Sequence, residues 1–146
     1  MFPNLHANAG SSGPVGLSYS NVLVTESSDS ILDLFERTGG YLRGHFLLTS
    51  GLHRPEYLQC AVVVQYPQQA ARLGAALASA LRPLIEGEVD VVGSPALGGI
   101  VIGHEVARAL GARSLFTERD ASGLMTLRRG FQVRQGERAV VIEDVL

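Results

Sequence analysis

Between Val89 and Leu146 the chain alternates apolar strands with one helix, and few folds accept that order. Val89 to Val92 reads as a strand, Gly93 to Gly99 as a loop of small residues, and Gly99 to Leu110 as a helix closed by Gly111. Ser114 to Thr117 is the next strand. A polar excursion, Glu118 to Gly130, follows, with Thr126-Leu127 as a possible hairpin arm, and then a last apolar run, Ala139 to Ile142. Strand, helix, strand, excursion, strand predicts an α/β fold with a parallel sheet built by right-handed crossovers. Ala139 to Ile142 shows no alternation, so it is expected to be a strand buried on both faces. On the helix, Gly99, Gly103 and Ala107 recur every fourth residue, which lets its backbone approach the sheet. Ile102, Val106 and Leu110 then fill the core, and His104, Glu105 and Arg108 face water.

Upstream, Ser30 to Thr38 predicts a short helix. Ser30 is its cap with Asp33 three residues on, and Gly39-Gly40 is its stop. Gly44 to Ser50 and Tyr57 to Val64 read as two strands joined by Gly51 to Pro55. His45 and His53 lie near that turn and read as solvated. Pro67 begins a helix expected to run to about Leu84, with Ala70, Leu73, Leu77, Ala80, Leu81 and Leu84 as its apolar stripe. Met1 to Ser28 is rich in Gly, Ser, Asn and Pro and is expected to be a disordered tail, with Val22 to Val24 as a possible short strand. The folded domain then covers 29–146.

Composition narrows the function classes. The formal net charge is −2, so nothing global points to nucleic acid or a membrane surface. The single cysteine, Cys60, excludes an internal disulfide and fits a reducing compartment. No apolar run reaches membrane-spanning length, and the start lacks a basic and apolar signal segment, so a cytoplasmic location is expected. All twelve basic residues are arginine. Any chemistry needing a lysine ammonium is therefore closed to these residues, while planar recognition of phosphate is open.

Three features carry chemistry. The small-residue loop feeds a helix N-terminus, which offers unpaired N–H groups to an anion, although it lacks the Walker and dinucleotide spacings. From Arg113 to Arg138, six arginines stand against Glu118, Asp120 and Glu137, as on a lid that closes over a polyphosphate. The last strand runs into Glu143 and Asp144. Ligands in open α/β sheets bind outside the carboxyl ends of strands, and two acids there suit ribose hydroxyls, directly or through Mg²⁺. Together they describe a pocket for a sugar carrying a pyrophosphate.

Val140 to Leu146 (VVIEDVL) resembles the first half of the phosphoribosyl pyrophosphate (PRPP) signature of type I phosphoribosyltransferases. Phe46 to His53 (FLLTSGLH), Tyr57 to Gln59, Gly93 to Ile100 (GSPALGGI) and Thr126 to Phe131 (TLRRGF) resemble the orotate phosphoribosyltransferase family in particular. The resemblance spans roughly Ile31 to Leu146. It implies a type I phosphoribosyltransferase-like sheet flanked by helices, incomplete at the C-terminus. It also implies transfer of the phosphoribosyl group from PRPP to orotate, giving orotidine 5′-monophosphate and pyrophosphate, with Mg²⁺ as cofactor and a homodimer as the assembly.

By the same resemblance Ala96, Leu97, Gly98 and Gly99 form the pyrophosphate loop, and Arg119 contacts PRPP phosphates. Glu143 and Asp144 face the ribose and its metal, with Val145 and Leu146 beginning the phosphate loop. Thr49, Ser50 and Gly51 lie by the orotate pocket. Many members carry lysines beside the Ser-Gly turn, in the pyrophosphate loop and on a mobile loop that reaches into the neighbouring subunit. Here those places hold Thr49, Gly98 and Asp120 to Gly123, leaving Arg128 or Arg129 as the expected catalytic charge. The Thr/Gly loop that should follow the acids is not in the sequence, so a chain ending at Leu146 is expected to be inactive and marginally stable, with an open sheet edge. Two other readings fit the same motifs: a non-catalytic PRPP-sensing regulator, and a phosphoribosyltransferase for another base.

Overall fold

The structure, a computed structural model, describes residues 30–48 and 50–145. The expected tail, Thr49 and Leu146 lie outside the described residues.

Helix α1 (Ile31–Thr38) begins where the sequence puts it. Ser30 Oγ accepts from the Asp33 N–H at 3.1 Å, and the Asp33 carboxylate accepts from the Ser30 N–H at 2.9 Å. Two orphan donors of the first turn are thereby satisfied. Leu34 and Phe35 are buried, and Gly39 ends the helix at φ 73°.

The next stretch departs from expectation. Strands β1 (Tyr41–Leu47) and β2 (His53–Leu58) pair antiparallel, so His53 to Pro55 belong to a strand rather than a turn. Arg43 pairs with Glu56 and Phe46 with Arg54, which leaves Gly44 and His45 opposite Pro55 alone. That is a β-bulge at a residue with no N–H to give the ladder. The run Cys60–Val64 is a short helix, α2, and not the end of a strand. A short apolar run fits either conformation. Burial decides it, because Cys60, Val63 and Val64 at helical spacing turn to the core while Ala61 faces out.

Helix α3 (Pro67–Leu81) passes into a 3₁₀ turn, Arg82–Leu84. Its buried face is Ala70, Leu73, Gly74 and Ala78. Ala80 is exposed and Leu84 is 79% exposed, so the expected stripe fails at its C-terminal end, where the helix runs past the core. Helix α4 (Gly99–Leu110), capped by Gly111 at φ 73°, has its expected bounds.

The main sheet has the order β5-β4-β3-β6, with β3 (Val91–Pro95), β4 (Arg113–Arg119), β5 (Met125–Leu127) and β6 (Ala139–Val141). β3 is parallel to both β4 and β6, and β5 returns antiparallel to β4. Helix α4 lies across β3 and β4, with α3 packed on it. One cluster of buried residues joins α1, α2, α3, α4 and this sheet.

One further expectation changes. β6 is an edge strand among the described residues: Val141 is 77% exposed and only Ile142 beyond it is buried, so the run is not covered on both faces. The arginine excursion carries the expected hairpin arm, since Thr126-Leu127 lies in β5 and pairs with β4. Asp120 Oδ1 accepts from the Ser122 N–H at 2.8 Å, the Ser122 hydroxyl at 2.6 Å and the Leu124 N–H at 3.0 Å. An aspartate that satisfies a turn's own donors in this way fixes the turn. These bonds hold the Asp120 carboxyl below its ordinary value.

Candidate functional site

Because β3, β4 and β6 are parallel, their carboxyl ends share one rim. The Ala96 N–H donates to the Thr117 carbonyl at 2.8 Å, and the Ile142 N–H to the Gly93 carbonyl at 2.9 Å, so the ends of the three strands are tied together. The chain leaves β3 for β4 on one side and returns to β6 on the other. Such a reversal of strand order opens a crevice at the rim.

The loop after β3 fills that crevice. Ala96 and Leu97 are joined by a cis peptide bond, Gly98 caps α4 and Gly99 is its first residue. A Cβ on Gly99 would lie 3.1 Å from Pro95 Cδ and 3.3 Å from the Ile142 carbonyl oxygen. A Cβ on Gly98 would lie 2.5 Å from Asp144 Oδ2 and 2.8 Å from Oδ1. The Asp144 carboxylate thus sits directly on the Cα face of Gly98. Any side chain at position 98 would displace it. A carboxylate at the N-terminus of α4 is also favoured by the helix dipole.

The acid pair is held from two sides. The Asp144 N–H donates to Glu143 Oε1 at 3.2 Å, and the Cys60 thiol donates to the Asp144 carbonyl at 3.1 Å. Desolvation at the rim, and then the adjoining Asp144 carboxylate, hold Glu143 above the ordinary carboxylate value. Two acids that resist sharing negative charge are relieved by a cation or by hydroxyl donors. Among the described residues no group of three or more His, Cys, Asp or Glu could cage a metal. Two carboxylates at an open rim fit Mg²⁺ of the kind completed by substrate oxygens and water.

Cys60 was not singled out by the sequence, since it lay in a stretch read as a strand. Its thiol is pushed up to about 11 from 9.0, by burial first and then by Asp144. A thiolate reacts and a thiol does not, and two pKa units are about a hundredfold in thiolate fraction. Alkylation by iodoacetamide at pH 8 is therefore expected to be at least about a hundredfold slower in the native protein than in urea. Equal rates in the two conditions would show that Cys60 is not held in this way.

The other expected residues are distributed unevenly. Arg119 ends β4 at the rim, and its Nη1 donates to the Gly123 carbonyl at 2.8 Å. Arg128 and Arg129 lie beyond β5, which runs back down β4, so they sit below the rim on the opposite flank from β6. Three strand spacings separate the two flanks, about 14 Å. Arg129 grips Glu118 with Nε at 2.8 Å and Nη2 at 2.9 Å, and lies over the Phe116 ring. That pair holds Glu118 below its ordinary value. The structure brings the glycine loop and the acids together, and it does not bring Arg128 or Arg129 to them within one chain. Ser50 and Gly51 form the tip of the separate β1–β2 sheet, where the Gly51 N–H donates to the Leu48 carbonyl at 2.9 Å with φ 82°. Val145 is exposed beside the acids.

No family model matches the chain. It is 53% identical over 120 residues to an orotate phosphoribosyltransferase from Heliobacterium modesticaldum, covering 82% of this chain and 62% of that protein. Among solved structures it resembles Leishmania donovani UMP synthase (TM-score 0.65, 19% identity, 80% of this chain and 24% of that one). It also resembles the orotate phosphoribosyltransferase of Francisella tularensis (TM-score 0.56, 16% identity, 79% and 56%). At these identities the structures speak for the fold alone, and the fold is that of the type I phosphoribosyltransferases. The chain spans about three fifths of the length of the curated relatives it matches. With half its residues shared over four fifths of its length, the chain is similar to the orotate phosphoribosyltransferases over the stretch it matches.

Proposed function

We propose that this chain supplies the pyrophosphate loop and the ribose-facing acids of an enzyme that joins orotate to PRPP, releasing pyrophosphate and forming orotidine 5′-monophosphate. The observation that carries the reading is the Asp144 carboxylate lying on Gly98, at the rim where the parallel strands end. A ribose seated there meets carboxylates on one side. The pyrophosphate it carries meets backbone N–H groups of Ala96 to Gly99 and the start of α4 on the other.

The transfer breaks the bond between ribose C1 and the pyrophosphate oxygen and forms one to a ring nitrogen of orotate. Positive charge develops on the ribosyl ring as the leaving group departs. Fixed carboxylates beside the ring stabilise that charge without reorganising. Glu143 and Asp144 would hold Mg²⁺ through substrate oxygens and water. When bound, that ion neutralises charge growing on the pyrophosphate. Arg119 would meet the phosphates from the rim of β4. Ser50 and Gly51, with Thr49 beside them, would border the base. The Arg128–Gly130 turn lies on the far flank of its own sheet, which favours delivery of Arg128 to a neighbouring copy's site in a homodimer. Arg129 would have to leave Glu118 to take that role.

The test is turnover by the whole protein containing this chain, with PRPP and Mg²⁺ and with orotate, hypoxanthine or adenine in turn. Consumption of orotate with release of pyrophosphate is expected. Turnover of a purine instead would overturn the base assignment. Saturable PRPP binding without turnover of any base would make the protein a sensor rather than an enzyme.

A further inference from the structure

The β1–β2 hairpin carries an arrangement that the transfer reaction does not use. His45 and His53 lie on facing strands, and His45 Nε2 and His53 Nδ1 meet in a hydrogen bond. Their rings stand edge to face, 4.7 Å between centroids and 74° apart. The register explains the meeting. Leu47 pairs with His53, so His45, two residues back, is the diagonal neighbour of His53 on the same face. The bulge opposite Pro55 twists β1 at that position and aims the two rings at one another. Both residues are exposed, and they open onto a hollow of about 240 Å³ lined also by Gly44, Arg54 and Pro55. Arg54, which pairs with Phe46 on β1, is the neighbouring charged residue in that lining.

The geometry points to a two-histidine site for a borderline divalent cation such as Zn²⁺ or Ni²⁺, held on the outside of the hairpin. Imidazole is the favoured ligand for these ions. Nitrogens at about 2.0–2.1 Å from a tetrahedral ion stand about 3.3 Å apart, which a small rotation of either ring provides. With the proton of each ring on its other nitrogen, His45 Nε2 and His53 Nδ1 each give a lone pair to the ion, and the hydrogen bond between the rings is replaced by two ligand bonds. The remaining positions are left to water, for which the hollow has room, so the ion would exchange freely. An ion here ties β1 to β2 across the bulge and stiffens the Leu48–Leu52 turn, where the Leu48 N–H donates to the Leu52 carbonyl at 2.9 Å.

The test is calorimetric titration of Zn²⁺ into the whole protein. His45→Gln, His53→Gln and the double variant are compared with His6→Gln and His104→Gln, the other two histidines of this sequence. The expected result is one saturable site per chain, with binding weakened at least tenfold by either hairpin substitution and unchanged by the other two. Equal affinity in the double variant would overturn the site. So would loss of binding on substituting His6 or His104, or the absence of saturable heat up to about 1 mM. Because none of these readouts involves orotate or PRPP, failure here leaves the phosphoribosyl reading standing, and the converse holds.

Discussion

Asp144→Ala in the whole enzyme is expected to lower kcat/KM for PRPP about a hundredfold, and Asp144→Asn less. On the proposed reading the Asp144 carboxylate accepts hydrogen bonds from ribose hydroxyls and faces the charge that develops on the ring. A hydrogen bond to a charged group contributes about 1.5–3 kcal/mol, and two weak ones or one strong one total about 3 kcal/mol. Each 1.4 kcal/mol is tenfold in rate. Gly98→Ala supplies an independent route to the same result. Its new Cβ would fall 2.5 Å from Asp144 Oδ2, so the carboxylate must leave its seat although the acid is still present. A fall in kcat/KM on Gly98→Ala that approaches that of Asp144→Ala, with the melting temperature little changed, is the signature of a displaced acid. If Asp144→Ala changed kcat/KM by less than about threefold, the acids would not be facing the substrate.

Much of this rim was legible in the sequence because the physics there is local. The strand, small-residue loop and helix from Val89 to Leu110 follow from periodicity, and Gly111 marks the end. The capping pair Ser30 and Asp33 is likewise a matter of neighbours three residues apart. What failed depended on partners far along the chain. Cys60–Val64 is apolar and β-branched, yet it winds into a helix because α1, α3 and Ile142 surround one side of it. The apolar run Ala139 to Ile142 read as buried on both faces, but Val141 is exposed and Ile142 buried, since cover on the second face needs a packed element that no local pattern supplies. The resemblance makes Arg128 or Arg129 the charge on a loop that reaches a neighbouring subunit, but does not say where they rest in their own: the antiparallel return of β5 sets them on the far flank, and Glu118, eleven residues before Arg129, holds the second of them. The diagonal meeting of His45 with His53 depends on a bulge whose position only the pairing register reveals.

Gly103→Val is expected to destabilise the fold by about 3 kcal/mol, at the upper end of what overpacking a core costs. A Cβ at position 103 would lie 2.5 Å from Ser94 Oγ and 2.7 Å from Ser94 Cβ. Ser94 is 2% exposed in the middle strand of the sheet, so it has nowhere to turn. The helix itself cannot back away, because α3 crosses its outer side at Gly74, where a Cβ would lie 2.7 Å from the Glu105 carbonyl carbon. Helix α4 is thus held between two glycine contacts, one to the sheet and one to α3. Relieving the first would tighten the second. Valine adds a loss of side-chain freedom, while any replacement of a mid-helix glycine recovers up to about 1 kcal/mol of helix propensity. With a slope of about 1.5 kcal/mol per molar urea, the unfolding midpoint should fall by about 2 M. The cause is separable from a general intolerance of the helix. In a Gly103→Ala background, Ser94→Gly removes the atoms being struck and should restore more than half of the lost midpoint, whereas Ser94→Gly alone should destabilise. Strictly additive effects of the two substitutions would mean that the helix and the sheet do not meet at this pair.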